Sequence, residues 1–331
     1  MSIRHSSRLG LLALSAIVGA TTCCVSARAD ILFYDSFDRA NNNNIDAVTT
    51  GITGTVGSML SADGVYTSPW VDPNNLTGAD TSAANGGGQR INNNRFEKYN
   101  AGTANLFVNH NFNDAAILAA GGFSVSLDVT AVTQSGVGQG AVIAVGMSQT
   151  EAGQGKDAND GSPGSSAPGV LVANQPTRKY SNAFQNTNFT TLNGGAVLAD
   201  FYFALRADGT VAWGVGGSGT VPAPTSTSVG SKTGTISATF TLNSFAAGST
   251  VNYALFYNNT PVTGGTGTFT WSESDANYIG IDARDGGAPP LVQMDNFIIS
   301  TIPEASSFLA MGTIALGLGC VVAVKRRRQR A

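Results

Sequence analysis

The sequence predicts an all-β fold, an antiparallel jelly-roll sandwich, and three observations carry that expectation. Apolar and polar residues alternate at period two along many short segments. Gly, Asn and Asp punctuate nearly every gap between those segments, as in Ala207-Asp208-Gly209 and Asn258-Asn259. Between residues 30 and 301 no stretch holds a helical period beyond one or two turns.

The clearest strand covers 123–132, where Phe123, Val125, Leu127 and Val129 share one face. Just before it, Ala115, Ala116, Leu118 and Ala119 favour a short helix over 113–120. Further strands are expected at 140–147, 169–173, 201–206 and 211–215, then at 235–242, 251–257, 266–271, 278–281 and 292–300. About a dozen short strands in one chain suit a sandwich or jelly roll. Pro222 to Ser228 is the best candidate break, yet it is short enough to be a loop, so one domain is expected over 30–301. No internal repeat stands out, which argues against propellers and β-helices.

Charge and cysteine narrow the function classes. Charged residues are only 12% of the 331. The body from 30 to 302 holds ten Lys and Arg against twenty Asp and Glu, a net charge of −10 where the whole chain carries −3. Such a surface repels nucleic acid, so no nucleic-acid partner is expected. It suits hard cations bound through oxygen, although the plainer reading is solubility. Cys23, Cys24 and Cys320 all lie in the apolar end segments. The body therefore has no disulfide, no Cys-ligated zinc and no thiol nucleophile.

Residues 1–29 read as a secretory signal peptide. Arg4, His5 and Arg8 form its basic start, Leu9 to Ala20 its apolar stretch, and Ala27-Arg28-Ala29 a small-x-small cleavage site. The mature protein would begin at Asp30. A lipoprotein signal at Cys23 is the rival, but Ala20-Thr21-Thr22 lacks the leucine usual ahead of that cysteine.

At the other end, Ile302-Pro303-Glu304-Ala305 precedes nineteen uncharged residues, 306–324, and then Lys325, Arg326, Arg327, Arg328 and Arg330. At about 1.5 Å rise per residue, that stretch nearly crosses a roughly 30 Å hydrocarbon core as one transmembrane helix. The basic cluster would stay on the cytoplasmic side. A short acidic motif, an apolar helix and a terminal arginine cluster resemble the PEP-CTERM sorting signal over residues 302–331. Pro303 and Glu304 match its first two motif positions, while Ala305 replaces the second proline. The resemblance implies an exosortase-type membrane protease as partner. The protein would be exported, anchored through the C-terminal helix, and then released to the cell surface or beyond. A plain C-terminal anchor is the alternative.

The body has a resemblance of its own. Leu32-Phe33-Tyr34-Asp35-Ser36-Phe37-Asp38-Arg39-Ala40-Asn41 is similar to the opening of many concanavalin A-like (laminin-G-like) domains, and Met294-Asp295-Asn296-Phe297 to their final strand. That likeness implies a jelly roll whose first and last strands are neighbours. It does not decide function.

Candidate chemistry is sparse. Glycoside hydrolases of this fold carry Glu-x-Asp-x-Glu, because retaining chemistry needs carboxyls about 5–5.5 Å apart. The body's glutamates are Glu97, Glu151 and Glu273, and Trp271-Ser272-Glu273-Ser274-Asp275 lacks the third carboxylate. An outward-facing strand edge is the default expectation there. His110 stands alone among asparagines, which disfavours a serine triad or a histidine zinc site. Calcium is the one cofactor left open. Asp157, Asn159 and Asp160 before Gly161 form an oxygen-rich turn, and Asp282 with Asp285 before Gly286 another, although solvated loops would read alike. Among aromatics that could stack on a sugar, Trp70 and Tyr66 in a loop-like, proline-containing stretch are the leading candidates, while Trp213 reads as core.

The leading expectation is a non-enzymatic surface or matrix protein with a lectin-like domain that associates with extracellular polysaccharide. The alternatives are a polysaccharide hydrolase or lyase on the same fold, and a structural coat protein without a ligand.

Overall fold

Alternation becomes pairing wherever one strand face can be buried. A computed structural model describes residues 29–42, 52–54, 70–71, 89–98, 102–109, 115–152, 181, 183–184, 197–217, 224–274, 276–285 and 291–302. The elements run β1 (Ile31–Asp35), β2 (Ile52–Gly54), β3 (Trp70–Val71), β4 (Gln89–Ile91), β5 (Phe96–Lys98) and β6 (Gly102–Asn109). A short helix α1 (Ala115–Ala120) leads into β7 (Gly122–Val132) and β8 (Gly140–Met147), followed by the single turn α2 (Gln149–Ala152). The second half holds β9 (Val197–Arg206), β10 (Thr210–Gly217), β11 (Thr225–Ser228), β12 (Gly234–Thr241), β13 (Thr250–Tyr257), β14 (Thr260–Thr270), β15 (Tyr278–Asp285) and β16 (Val292–Thr301).

These strands form two sheets, and every recorded pairing is antiparallel. One has nine strands along the path β14-β13-β12-β7-β16-β1-β2, with β5 also on β16 and β4 on β5. The other has seven, in the order β11-β10-β9-β8-β15-β6-β3. Their facing sides share one apolar core. Phe123, Val125 and Leu127 of β7 and Ile236 and Phe240 of β12 meet Ile143 and Val145 of β8 and Phe201, Phe203 and Leu205 of β9. Phe201 is the centre of an aromatic cluster, 4.3 Å from Tyr253, 5.2 Å from Phe269 and 5.7 Å from Phe240 between ring centroids. Each such side chain, fully removed from water, contributes about 1.5–3 kcal/mol.

The two signature stretches are structural devices. Asp35 is fully buried. Its carboxylate accepts two hydrogen bonds from the Arg39 guanidinium, at 2.7 and 3.1 Å, and one each from the Phe37 amide at 2.7 Å and the Trp70 indole at 2.5 Å. Phe37 takes φ +53°, so the chain reverses sharply enough to return Arg39 to Asp35. At the other end Asn296 takes φ +47°, and the β16–β7 register shifts between Asp295 and Ile298. That bulge lets Asn296 Nδ2 donate to Asp128 (3.0 Å) and Oδ1 accept from the Tyr34 hydroxyl (2.9 Å). It also turns Phe297 inward against Phe33 and Trp70. β1 and β16 pair directly, from Ile31 opposite Ser300 to Asp35 opposite Phe297, as neighbouring first and last strands require.

Several expectations change. Asn258 and Asn259 both have positive φ, a two-residue hairpin turn, so β14 begins at Thr260 and runs six residues earlier than the alternation suggested. Thr225–Ser228, expected as loop, pairs with β10 as an edge strand. Trp271-Ser272-Glu273 is not strand but the irregular start of the β14–β15 connection, with Trp271 fully buried. No helix among the described residues is long and apolar enough to cross a membrane, and 306–324 lies outside those residues.

Candidate functional site

The seven-stranded sheet turns a second face away from the core, and that face holds the buried polar side chains Asp200, Arg206 and Asp282. Period-two alternation puts Asp200, Tyr202, Ala204 and Arg206 of β9 there, opposite Phe201, Phe203 and Leu205. Beside them lie Val142 and Ala144 of β8, Gly214 of β10, and Tyr278, Gly280 and Asp282 of β15. The face is covered. Val142, Ala144, Leu198, Tyr202 and Tyr278 form an apolar cluster with Ala152, Ala183 and Phe184. Burial raises the Tyr278 phenol to about 12 and pushes the Tyr202 phenol up as well.

Small residues make the room. At Gly214 a Cβ would lie 2.2 Å from the Tyr202 hydroxyl, and at Gly146 (φ +78°) 2.8 Å from the Asp200 carboxylate. Gly214→Ala is therefore expected to destabilise the fold by about 1–3 kcal/mol through overpacking. Chemical denaturation should show it, and Tyr202→Leu in the same chain should recover most of the loss.

Asp200 sits at the end of this face, 3% exposed. Its Oδ2 accepts the Ser272 amide at 2.9 Å, tying β9 to the β14–β15 connection. Burial, and then the negative charge of Glu151 and Glu273, raise its carboxyl to about 7. Glu151 is held by a capping box at α2: it accepts from the Ser148 amide (2.9 Å) and hydroxyl (3.1 Å), while its own amide donates to the Ser148 hydroxyl (3.3 Å). Glu273 is exposed. At the far end, the Arg206 Nε donates to the Ala183 carbonyl at 2.6 Å, and burial lowers its pKa. Near neutral pH Asp200 exchanges between donor and acceptor. It is suited to bind a hydroxyl or to transfer a proton.

The sequence candidates are distributed differently. Trp70 is a correction: it is fully buried, its indole packed against Phe33 at 5.8 Å, Phe37 at 5.8 Å and Phe297 at 5.4 Å, and bonded to Asp35. The proline before it suggested a loop, but short strand pairing with β6 draws it inward, so it offers no face to a sugar. Trp213 is buried, as expected. Glu97 is 3% exposed and engaged with Arg90 at 2.7 Å and Asn92 at 2.9 Å. Tyr66, His110, Asp157, Asn159, Asp160, Ala27, the motif Pro303–Ala305 and the basic cluster lie outside the described residues. Among the described residues no three His, Cys, Asp or Glu side chains are gathered to hold a metal ion. Alternation did not single out Asp200, because LADFYFALR reads as core on both parities; the acid inside an otherwise apolar run was the available signal.

No protein-family model matches the sequence, and no curated protein matches it. Solved structures similar to it include an endo-1,3-β-glucanase from Streptomyces sioyaensis (12% identity, 82% of this chain and 96% of that one, TM-score 0.40). The Emp46p carbohydrate recognition domain in its metal-free form is similar at 10% identity, over 70% of this chain and 87% of that one, with TM-score 0.39. A legume lectin-like domain from Entamoeba histolytica is similar at 7% identity, over 65% and 88%, with TM-score 0.36.

Proposed function

We infer that this is an exported, non-enzymatic surface or matrix protein whose lectin-like sandwich associates with an extracellular polysaccharide. An exosortase-type protease would cut it free near Pro303-Glu304-Ala305. The observation that carries the reading is the extent of the described strands. They begin at Ile31 and end at Thr301, inside the unit Asp30–Ile302 that the two expected cleavage points bracket. Cleavage at both expected points would leave every described strand intact. The test is intact mass and cell fractionation, with Glu304→Ala in parallel. A form starting at Asp30, ending near Pro303 and lost in the variant supports sorting. A tail that persists to Ala331 in the membrane fraction makes the protein a plain tail-anchored sandwich.

The second reading, a polysaccharide hydrolase, is favoured by one observation: Asp200 is held near neutral pKa beside Glu151 and Glu273. That is the environment of a general acid set beside further carboxyl groups. Release of reducing ends from a polysaccharide panel, abolished by Asp200→Asn, would establish it over the non-enzymatic reading.

A further inference from the structure

The outward face of the nine-stranded sheet differs from its counterpart in holding two adjacent rows without a charged side chain, bounded on one side by Asp128 and Asp295. One row crosses six strands in register: Pro261 of β14, Phe256 of β13, Ser237 of β12, Ser126 of β7, Ile298 of β16 and Tyr34 of β1. Pro261 is exposed and the other five are half-buried. The adjacent row contains Thr266, Thr239, Ser124 and Ser300, and the Ser124 and Ser300 hydroxyls bond each other at 2.8 Å. Neither row contains an ionisable acid or base other than the Tyr34 phenol, although the body carries net −10. Asp128 and Asp295 begin only beyond Ser126 and the bulge.

We propose that this face, centred on Phe256, Ser237 and Ser126, is a platform on which an uncharged polysaccharide lies. The proposal rests on the polysaccharide reading above and gives that ligand a place and a charge class. Successive outward residues on a strand repeat at about 6.8 Å, and neighbouring strands at about 4.8 Å, so Ser124 and Ser126 of β7 with Thr239 and Ser237 of β12 set four hydroxyls in a two-by-two array. A neutral glycan offers the complementary mixture, hydroxyls at the edges of its rings and C–H groups on their faces. Phe256 and Pro261 would meet the ring faces, and the serines and threonines the hydroxyls. A row without charge in an acidic body offers no counter-ion to an anionic glycan and imposes no desolvated charge on a neutral one. A second copy of the chain is the poorer occupant, because two hydroxyl-rich faces would bury little apolar surface against each other. The corresponding face of the seven-stranded sheet is already covered by Ala152, Ala183 and Phe184.

The test uses the full chain in detergent and co-sedimentation with microcrystalline cellulose, a 1,3-β-glucan gel and alginate. Ser126→Lys with Ser237→Lys should weaken binding to the neutral glucans about ten-fold or more, and Phe256→Ala several-fold. Asn243→Lys, an added charge in the exposed turn after β12, should bind as the parent does. Unchanged circular dichroism and thermal transitions identify variants that are folded. If the parent binds a glucan and the folded platform variants bind equally well, the platform is overturned while the polysaccharide reading stands. If the parent binds none of the three, both fail. Preference for alginate overturns the uncharged class. A concentration-dependent dimer abolished by the lysines makes the face an interface between copies instead.

Discussion

Asp35→Ala is expected to lower the unfolding free energy by about 3–5 kcal/mol, the cost of leaving a buried charge without its partner. The carboxylate serves three donors at once: the Arg39 guanidinium, the Phe37 amide and the Trp70 indole. Both charged side chains are at most 1% exposed, so water cannot replace the lost partner. The damage is concentrated around β1, β3 and β16, because Trp70 bonds to Asp35 and packs against Phe297. Urea unfolding of the parent, Asp35→Ala, Arg39→Met and the double variant Asp35→Leu with Arg39→Met would apportion it. The double variant should be more stable than Asp35→Ala alone, since it removes the orphaned guanidinium. A loss below about 1 kcal/mol for Asp35→Ala would mean that the pair is hydrated and does not hold the turn.

That ion pair also shows what the sequence could disclose. The acid, the aromatic and the arginine of Asp35-Ser36-Phe37-Asp38-Arg39 are visible as a pattern, and so is the pairing of the two chain ends that the pattern implies. Its reason is not visible, because Trp70 arrives from 35 residues away through a strand of two residues. Alternation identified the long strands such as β7 and β12, where one face is core and the other is hydroxyl-bearing. It missed β4 and β5, three residues each, whose order comes from the pairing of β5 with β16 and of β4 with β5 rather than from any period of their own.

The candidate site was harder to read for a related reason. The proline before Trp70 suggests an exposed loop, yet so large a ring gains more from the core than a loop can offer it. Conversely, β9 is buried on both faces, so its acid cannot be distinguished from its neighbours by period. Only three-dimensional placement shows that Gly146 and Gly214 make space for Asp200 and Tyr202, and that Ser272 and Glu273 return to the same end of the sheet. The hydroxyl rows of the other sheet are legible strand by strand as Ser and Thr on one parity. Their alignment across β12, β7 and β16 depends on register, which a single sequence does not contain.

Asp200→Asn is expected to stabilise the protein at pH 8, by an amount approaching about 4 kcal/mol at the upper limit, and to remove a pH dependence that the parent carries. In the folded protein the Asp200 carboxyl is raised to about 7, while in the unfolded chain it returns to its ordinary value near 3.8. Between those two values the folded state binds a proton that the unfolded state does not, so stability falls as pH rises from about 4 to about 7. Above about 7 both states are ionised and the loss is complete. Below about 4 both are protonated and the slope vanishes. Asparagine keeps an oxygen for the Ser272 amide but never ionises, so the variant should lack that downward slope and match the parent most closely near pH 4. Urea midpoints from pH 4 to pH 8 provide the comparison. Parallel curves would show that Asp200 is solvated and ordinary, and would remove the one observation that favours the hydrolase reading. A diverging pair would show that the fold sustains a strained acid at the end of the seven-stranded sheet.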